Sequence, residues 1–191
     1  MKTDRIRSFI AVDVSDNSIL DNISKVQVKL KESGADLKQV KPNNIHITLR
    51  FLGEISSSIL EKVMEQMENI TVNSFDLELR EVGTFPSIKY PKIVWIGMNK
   101  GSTELGEIHE QLEPRLREIG FMPDKKGFSP HLTIARVRTG RNKRELVDIL
   151  NEIRSYDFGT MRAEFLRLKR STLTPNGPIY STLHEVFLEP S

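Results

Sequence analysis

Apolar positions along this chain alternate between two spacings, and the alternation sets out its elements. Ile6 to Val14 is a nearly continuous apolar run rich in β-branched and aromatic residues, which predicts a strand. Ile19, Ile23, Val26 and Leu30 then recur every three or four positions and predict a helix, with Ser15 or Asp16 placed to cap it and Gly34 to end it. From Ile45 to Leu52 the spacing returns to two. Ile45, Ile47, Leu49 and Phe51 fall on one face, and His46, Thr48 and Arg50 on the other. A second helical stripe, Ile59, Val63, Met67 and Ile70, and a strand over Phe75 to Val82 complete the first half.

The second half repeats the first. Ile93 to Met98 predicts a strand, and Leu105, Ile108, Leu112, Leu116 and Ile119 a helix ended by Gly120. Pro114 is expected to kink that helix or split off its first turns. The triplet His131-Leu132-Thr133 matches His46-Ile47-Thr48, and Trp95 precedes His131 by the same distance as Ile10 precedes His46. Leu146, Ile149, Leu150 and Ile153 then mark a helix, with Asn142 and Glu145 spaced as a capping box. Strands follow over Ala163 to Lys169 and Ile179 to Leu188, joined through turn chemistry at Pro175-Asn176-Gly177. Each half therefore reads strand, helix, H-x-T strand, helix, strand. We expect an α+β fold in which residues 1–191 form a single bilobal domain, its two similar lobes divided near 83–92 in a loop containing Pro86, Tyr90 and Pro91. A doubly wound parallel sheet is the weaker option, because no Gly-rich phosphate loop follows the first strand.

Composition narrows the chemistry. With 191 residues, 38% hydrophobic and 28% charged, the chain can bury a sizeable core. No apolar run approaches the ~20 residues of a membrane span. The charged start, Met1 to Arg7, leads only into the short apolar run Phe9 to Val12, so a signal peptide is not expected and the chain reads as cytoplasmic. The absence of cysteine excludes disulfides, thiolate nucleophiles, Fe–S clusters and cysteine-based zinc sites. A net charge of +2 suits a modestly anionic partner, such as a nucleotide or one end of an RNA, rather than a long wrapped nucleic acid.

The repeated triplet carries the chemistry. Residues two apart on a strand face the same way at roughly 6.5–7 Å, so an imidazole and a hydroxyl can touch one phosphate. In the second repeat His131, Thr133 and Ala135 share a face. Strict alternation sends Arg136 to the rear unless the strand bulges or ends there. Two histidines on facing strands suit a reaction that needs a base and an acid on opposite sides of one phosphorus, and an ordinary imidazole pKa of ~6.5 lets one be neutral while the other is protonated. Threonine hydroxyls and arginine donors would stabilise the phosphoryl oxygens, and no metal or other cofactor is required. Which histidine gives the proton and which takes it is left open by the symmetry.

Other polar and aromatic positions are expected to be less involved. His109 lies on the polar side of its helix and reads as a solvated surface residue. His184 shares a strand face with Tyr180 and Thr182 and reads as structural. Arg136, Arg138, Arg141, Lys143 and Arg144 form a basic run that is either a solvated loop or a guide for RNA. Phe9, Phe85 and Tyr90 are candidates for stacking on a base, with core packing favoured for Phe9. Asp13 and Glu54 stand near strand ends where a carboxylate could orient a histidine, with nothing to select either.

The segments Phe9-Ile10-Ala11-Val12, Asn44 to Gly53 and Pro130 to Arg136, with the ending Ser171 to Tyr180, resemble the two-histidine (2H) phosphoesterases. Among these the RNA 2',3'-cyclic phosphodiesterases, first called 2'-5' RNA ligases, are the most similar. The resemblance spans essentially the whole chain. It implies lobes of antiparallel sheet with outer helices around a central cleft lined by both motifs. It also implies hydrolysis of an RNA terminal 2',3'-cyclic phosphate to a 2'-phosphomonoester, with His46 as proton donor to O3' and His131 as acceptor. Thr48 and Thr133 would bind the phosphate, with Arg136 and Arg50 as further substrate ligands, and reverse 2'-5' ligation is the same chemistry with a 5'-hydroxyl. The expected partner is an RNA end or oligonucleotide bearing the cyclic phosphate, without membrane association, and the chain is expected to be a monomer. Two other readings stand beside it: a non-catalytic RNA-end binding module, and a metal-dependent phosphohydrolase with both histidines as ligands, for which the sequence lacks a patterned Asp/Glu set.

Overall fold

The structure, a computed structural model, describes residues 5–124 and 127–190. Met1 to Asp4, part of the charged start, fall outside these. Nine strands and four helices are described: β1 (Arg5–Asp13), α1 (Asn17–Lys31), β2 (Leu37–Gln39), β3 (His46–Ser56), α2 (Ser57–Glu68), β4 (Phe75–Ser87), β5 (Tyr90–Lys100), α3 (Ser102–Glu118), β6 (Leu132–Val137), α4 (Lys143–Glu152), β7 (Asp157–Ala163), β8 (Phe165–Thr174) and β9 (Gly177–Phe187). A single 3-10 turn, Pro42–Asn44, leads into β3. The strands form one sheet in the order β7-β4-β5-β6-β3-β1-β8-β9, with β2 on β6. Every described pairing is antiparallel, which removes the parallel option and makes the fold α+β.

Local signals account for most of these elements. The Asp16 carboxylate accepts from the Ile19 amide at 3.0 Å and caps α1. All four stripe residues of α1, Ile19, Ile23, Val26 and Leu30, are buried. Helix α3 runs unbroken through Pro114, so the expected split does not occur; Leu105, Ile108, Leu112 and Leu116 are buried on both sides of the proline, and that packing holds the helix together. Asn142 does not cap α4. It adopts a left-handed backbone, and its Nδ2 donates instead to the Ser33 carbonyl at 3.0 Å beyond the end of α1. The segment 83–92 is no loop between lobes, since β4 and β5 pair through it from Gly83–Trp95 to Ser87–Tyr90 as one hairpin. Strand β7 has no counterpart in the periodic pattern; it pairs with β4 and ends at Ala163, where that pattern begins the next strand.

Apart from β2, which pairs with β6, the sheet has two halves of four strands. β7, β4, β5 and β6 form one, and β3, β1, β8 and β9 form the other, built from both ends of the chain. A single pair, Ile47 with Leu132, joins β3 to β6 across the junction. Both side chains are fully buried in a core that also takes in Ile10, Ile96, Leu105 and Ile108.

Two bulges redirect side chains. On β3, Thr48 faces Ala11 and Arg50 faces Ile10, leaving Leu49 as an extra residue. On β6, Thr133 faces Trp95 and Ala135 faces Val94, leaving Ile134 extra at the equivalent place. Beyond the bulge the faces exchange. Arg50 turns with Ile10 toward the helices, whereas Phe51, expected in the core, pairs with Phe9 and stays exposed. In the second repeat Ala135 joins the core and Arg136 moves to the outer face with Ile93, which is the bulged alternative anticipated for that strand.

Arg50 is thus turned away from the face that carries His46 and Thr48. Its Nε lies 2.6 Å from Glu113 Oε1 on α3, an ion pair misaligned for a hydrogen bond, with the two side chains only 10% and 12% exposed. Beside it His109 stacks on Phe128, ring centroids 4.5 Å apart, so this histidine is covered rather than solvated. Removing one partner of a buried pair costs more than the pair itself contributes. Without Glu113 the Arg50 guanidinium would keep only Asp124 Oδ2 at 3.8 Å and the Met122 and Phe51 carbonyls. Glu113→Gln is therefore expected to lower stability by roughly 3–5 kcal/mol in urea unfolding. The double variant Arg50→Met/Glu113→Leu should recover most of that loss.

Candidate active site

The pairing of Ile47 with Leu132 determines what lies on the other face. Because both side chains enter the core, their neighbours His46, Thr48, His131 and Thr133 point to the opposite side. Continuing the antiparallel register from that pair sets His46 beside Thr133 and Thr48 beside His131. Four groups suited to one phosphate thus form two crossed pairs.

Each imidazole is oriented by the backbone just ahead of it. His46 Nδ1 lies 2.8 Å from the Asn44 carbonyl, and His131 Nδ1 lies 2.7 Å from the Ser129 carbonyl. A carbonyl only accepts, so Nδ1 carries the proton in both rings and Nε2 is the reactive nitrogen of the neutral form. His46 Nε2 lies 3.0 Å from Thr48 Oγ1. The Asn44 carbonyl is presented by the Pro42–Asn44 turn. Asn44 Nδ2 donates to the Pro178 carbonyl at 2.8 Å, which ties that turn to the start of β9.

The surroundings of the two rings differ. His46 packs against Phe9 at 4.8 Å and meets Tyr180 edge-on at 5.2 Å. Asp13 is its register partner on β1, and Lys169 Nζ reaches Asp13 Oδ2 at 2.6 Å, with Arg167 Nη1 at 3.4 Å. Burial lowers the pKa of His46 below the ordinary imidazole value; the Asn44 hydrogen bond and Asp13 oppose this, while Lys169 and His131 add to it. His131 instead has an aromatic wall, with Phe85 edge-on at 5.0 Å and Trp95 packed on Phe85 at 5.2 Å. Gly83 makes room for that indole, since a Cβ there would come within 2.3 Å of its ring. Burial likewise pushes the Tyr180 hydroxyl above its usual pKa.

Of the residues singled out from sequence, Thr48 and Thr133 share a face with the histidines, and Arg136 joins that face beyond the bulge, where its charge reaches Tyr180. Arg50 does not; it belongs to the packing behind β3. There its Nη2 donates to the Met122 carbonyl at 2.5 Å and Glu113 accepts from the Asp124 amide, so the pair anchors the segment that follows α3. His109 stacked on Phe128 anchors the same segment next to Ser129, the residue whose carbonyl orients His131. His184 is turned by a register shift between Leu168 and Lys169 and pairs with Glu68 of α2 at 2.7 Å. Phe9 and Phe85 touch the histidines, whereas Tyr90 lies at the β4–β5 tip with Lys143 Nζ 3.7 Å over its ring. Asp13 faces His46, and Glu54 pairs in register with Arg7. Lys169 and Asn44 were missed. Lys169 lies in a predicted strand and Asn44 beside the motif, but only the folded chain lays β8 along β1 and brings β9 to Asn44. Among the described residues no group of three or more His, Asp or Glu is gathered as metal ligands would be.

Comparison with known proteins agrees with this geometry. The family model described as LigT-like phosphoesterase matches the chain twice, at residues 12–95 and 96–180, one match for each repeat. The RNA 2',3'-cyclic phosphodiesterase of Archaeoglobus fulgidus is 40% identical over 93% of this chain and 98% of its own length. The protein of the same name from Aeropyrum pernix is 38% identical over 88% and 96%. Among solved structures, TT0787 of Thermus thermophilus superposes with a TM-score of 0.80 at 25% identity, over 97% of this chain and 99% of its own. E. coli LigT complexed with 3'-AMP shares the fold with a TM-score of 0.76 at 21% identity, over 96% of this chain and 98% of its own. With both repeats matched and relatives aligned nearly end to end, the chain belongs to the LigT-like phosphoesterase family.

Proposed function

We propose that this protein hydrolyses the terminal 2',3'-cyclic phosphate of RNA to a 2'-phosphomonoester, with His46 and His131 as its acid–base pair. The carrying observation is the Ile47–Leu132 pairing, which turns two distant H-x-T segments onto one face with each Nδ1 held by a carbonyl. Its relatives named RNA 2',3'-cyclic phosphodiesterase support the reaction class. We read the two four-stranded halves as lobes of one domain, with the site in the cleft between them.

In this reaction water attacks phosphorus in line with O3'. His131 Nε2 takes the proton from water as the new P–O bond forms. The P–O3' bond breaks, and the protonated His46 gives its Nε2 proton to O3'. Thr48, Thr133 and Arg136 donate to the phosphoryl oxygens as their charge grows. The product keeps its phosphate on O2', and exchange with solvent resets both imidazoles. A 5'-hydroxyl in place of water would make a 2'-5' linkage by the same route. The cytoplasm is the compartment in which RNA ends of this kind would be met.

Burial favours neutral His46 in the free protein, and the anionic phosphodiester opposes that effect on binding. As proton donor His46 must be protonated, so activity is lost as pH rises through its pKa. The alkaline limb of kcat/KM should accordingly lie below the ordinary ~6.5. Lys169→Met removes one of the charges that depress His46 and should move that limb upward; movement of the acid limb instead would make His46 the acceptor. Separately, His46→Ala and His131→Ala should each cut kcat/KM on an RNA ending in 2',3'-cyclic phosphate by roughly 10²–10⁴-fold. Circular dichroism should be unchanged, wild-type activity should survive EDTA, and the product should be the 2'-monoester. Ordinary turnover by either variant refutes the reading.

A further inference from the structure

The basic run after the second motif is dispersed by the fold. Arg138 reaches Asp36 at 3.9 Å, and Lys143 Nζ lies 3.7 Å over the ring of Tyr90. Arg136 turns to the face that carries His131 and Thr133, and it is exposed there. Its cationic neighbour on that face comes from a distant part of the chain. Strand β2 pairs with β6 so that Lys38 stands directly opposite Arg136, and cross-strand partners share a face. The residues on either side of Lys38 agree with this direction. Leu37 packs on the core and Gln39 Nε2 donates to the Gln27 carbonyl of α1, so Lys38 points the other way and is exposed.

Other cations around the site are already engaged. Lys169 and Arg167 reach Asp13, and Arg50 reaches Glu113. Among the described residues Lys38 and Arg136 have no ion-pair partner. Like charges directly opposite on neighbouring strands, with Cβ atoms about 5 Å apart, repel each other, and an anion bound over them relieves that cost. Lys38 Nζ also extends to the β8–β9 turn, 3.9 Å from where a Cβ on Gly177 would stand. The same turn is tied by Asn44 to the segment that orients His46. The ammonium is thus placed beside the histidine face, one strand beyond the guanidinium.

We infer that Lys38 holds the internucleotide phosphate on the 5' side of the terminal nucleotide, so that this site prefers an RNA strand to a lone nucleotide. The inference rests on the hydrolytic reading above and deepens it. The terminal ribose separates its cyclic phosphate from the phosphate on its 5'-oxygen, so a strand presents two anions one step apart. Arg136 meets the first and Lys38 the second. A lysine suits the second, because its mobile point charge needs no fixed oxygen geometry and carries no sequence preference.

Two substrates that share the reacting ring test this: adenosine 2',3'-cyclic phosphate, and the dinucleotide adenylyl-(3'→5')-adenosine 2',3'-cyclic phosphate. Lys38→Met is expected to lower kcat/KM about fivefold on the dinucleotide and to leave the mononucleotide at its wild-type value. Lys38→Arg should keep both. Equal loss on the two substrates, or no loss on the dinucleotide, overturns the inference. Binding gives a readout independent of turnover. For a labelled short oligoadenylate ending in a 2'-phosphate, followed by fluorescence anisotropy, log K falls with log salt. Lys38→Met should make that slope shallower by about 0.7, the share of one phosphate on a single strand. An unchanged slope overturns the inference. A wild type that binds the oligonucleotide through Lys38 but opens neither cyclic phosphate overturns the hydrolytic reading and leaves the Lys38 contact standing.

Discussion

One backbone pairing, Ile47 with Leu132, is the constraint on which the site depends. Among the described residues it is the one pair in register between β3 and β6, the strands at which the two halves of the sheet join. Both side chains are fully buried, and strand geometry then leaves their neighbours no choice of face. A slip of one residue in either strand would send an imidazole and a threonine into hydrocarbon and bring apolar side chains to the surface. Hydrophobic burial therefore enforces the polar arrangement, although no polar group takes part in that pairing.

The repeats supply the same triplet, and the surrounding strands make the two histidines unlike. Beside His46 lie Asp13 and Lys169, the latter only 8% exposed and hydrogen-bonded to Asp13 and Thr182. Beside His131 lie Phe85 and Trp95. A part-buried ion pair next to one imidazole and aromatic rings next to the other give the two histidines different electrostatic surroundings. The bulges add a second asymmetry, by turning an aromatic ring to the histidine face from β3 and a guanidinium from β6.

Support for the site extends behind the sheet. Arg50, Glu113 and His109 form a cluster between β3 and α3 that holds the segment after α3 at Met122, Asp124 and Phe128. That segment ends at Ser129, whose carbonyl fixes the tautomer of His131. On the other side, Asn44 links the His46 turn to β9, which carries Tyr180. Neither histidine depends on its own strand alone.

What could be read without coordinates was whatever obeys local periodicity. The α1 and α3 stripes, the α2 and α4 patterns, the repeated triplet and the shared face of His46 with Thr48 all follow from spacings of 3.6 or two. Periodicity failed at Arg50 and Phe51, because a bulge is paid for by partner strands and leaves no mark on the strand that bears it. It failed again at segment 83–92, where two prolines suggested a loop but the strands pair through them, and at Asn142, whose partner Ser33 lies far away in the chain. Lys169 and Asn44 gained their roles only when β8 and β9 folded back onto β1 and the turn before β3. Sequence alone determined that His46 shares a face with Thr48 and His131 with Thr133, since side-chain direction along a strand is a local property. Tertiary structure alone decided which groups surround them, because register and burial are set between segments and not within them.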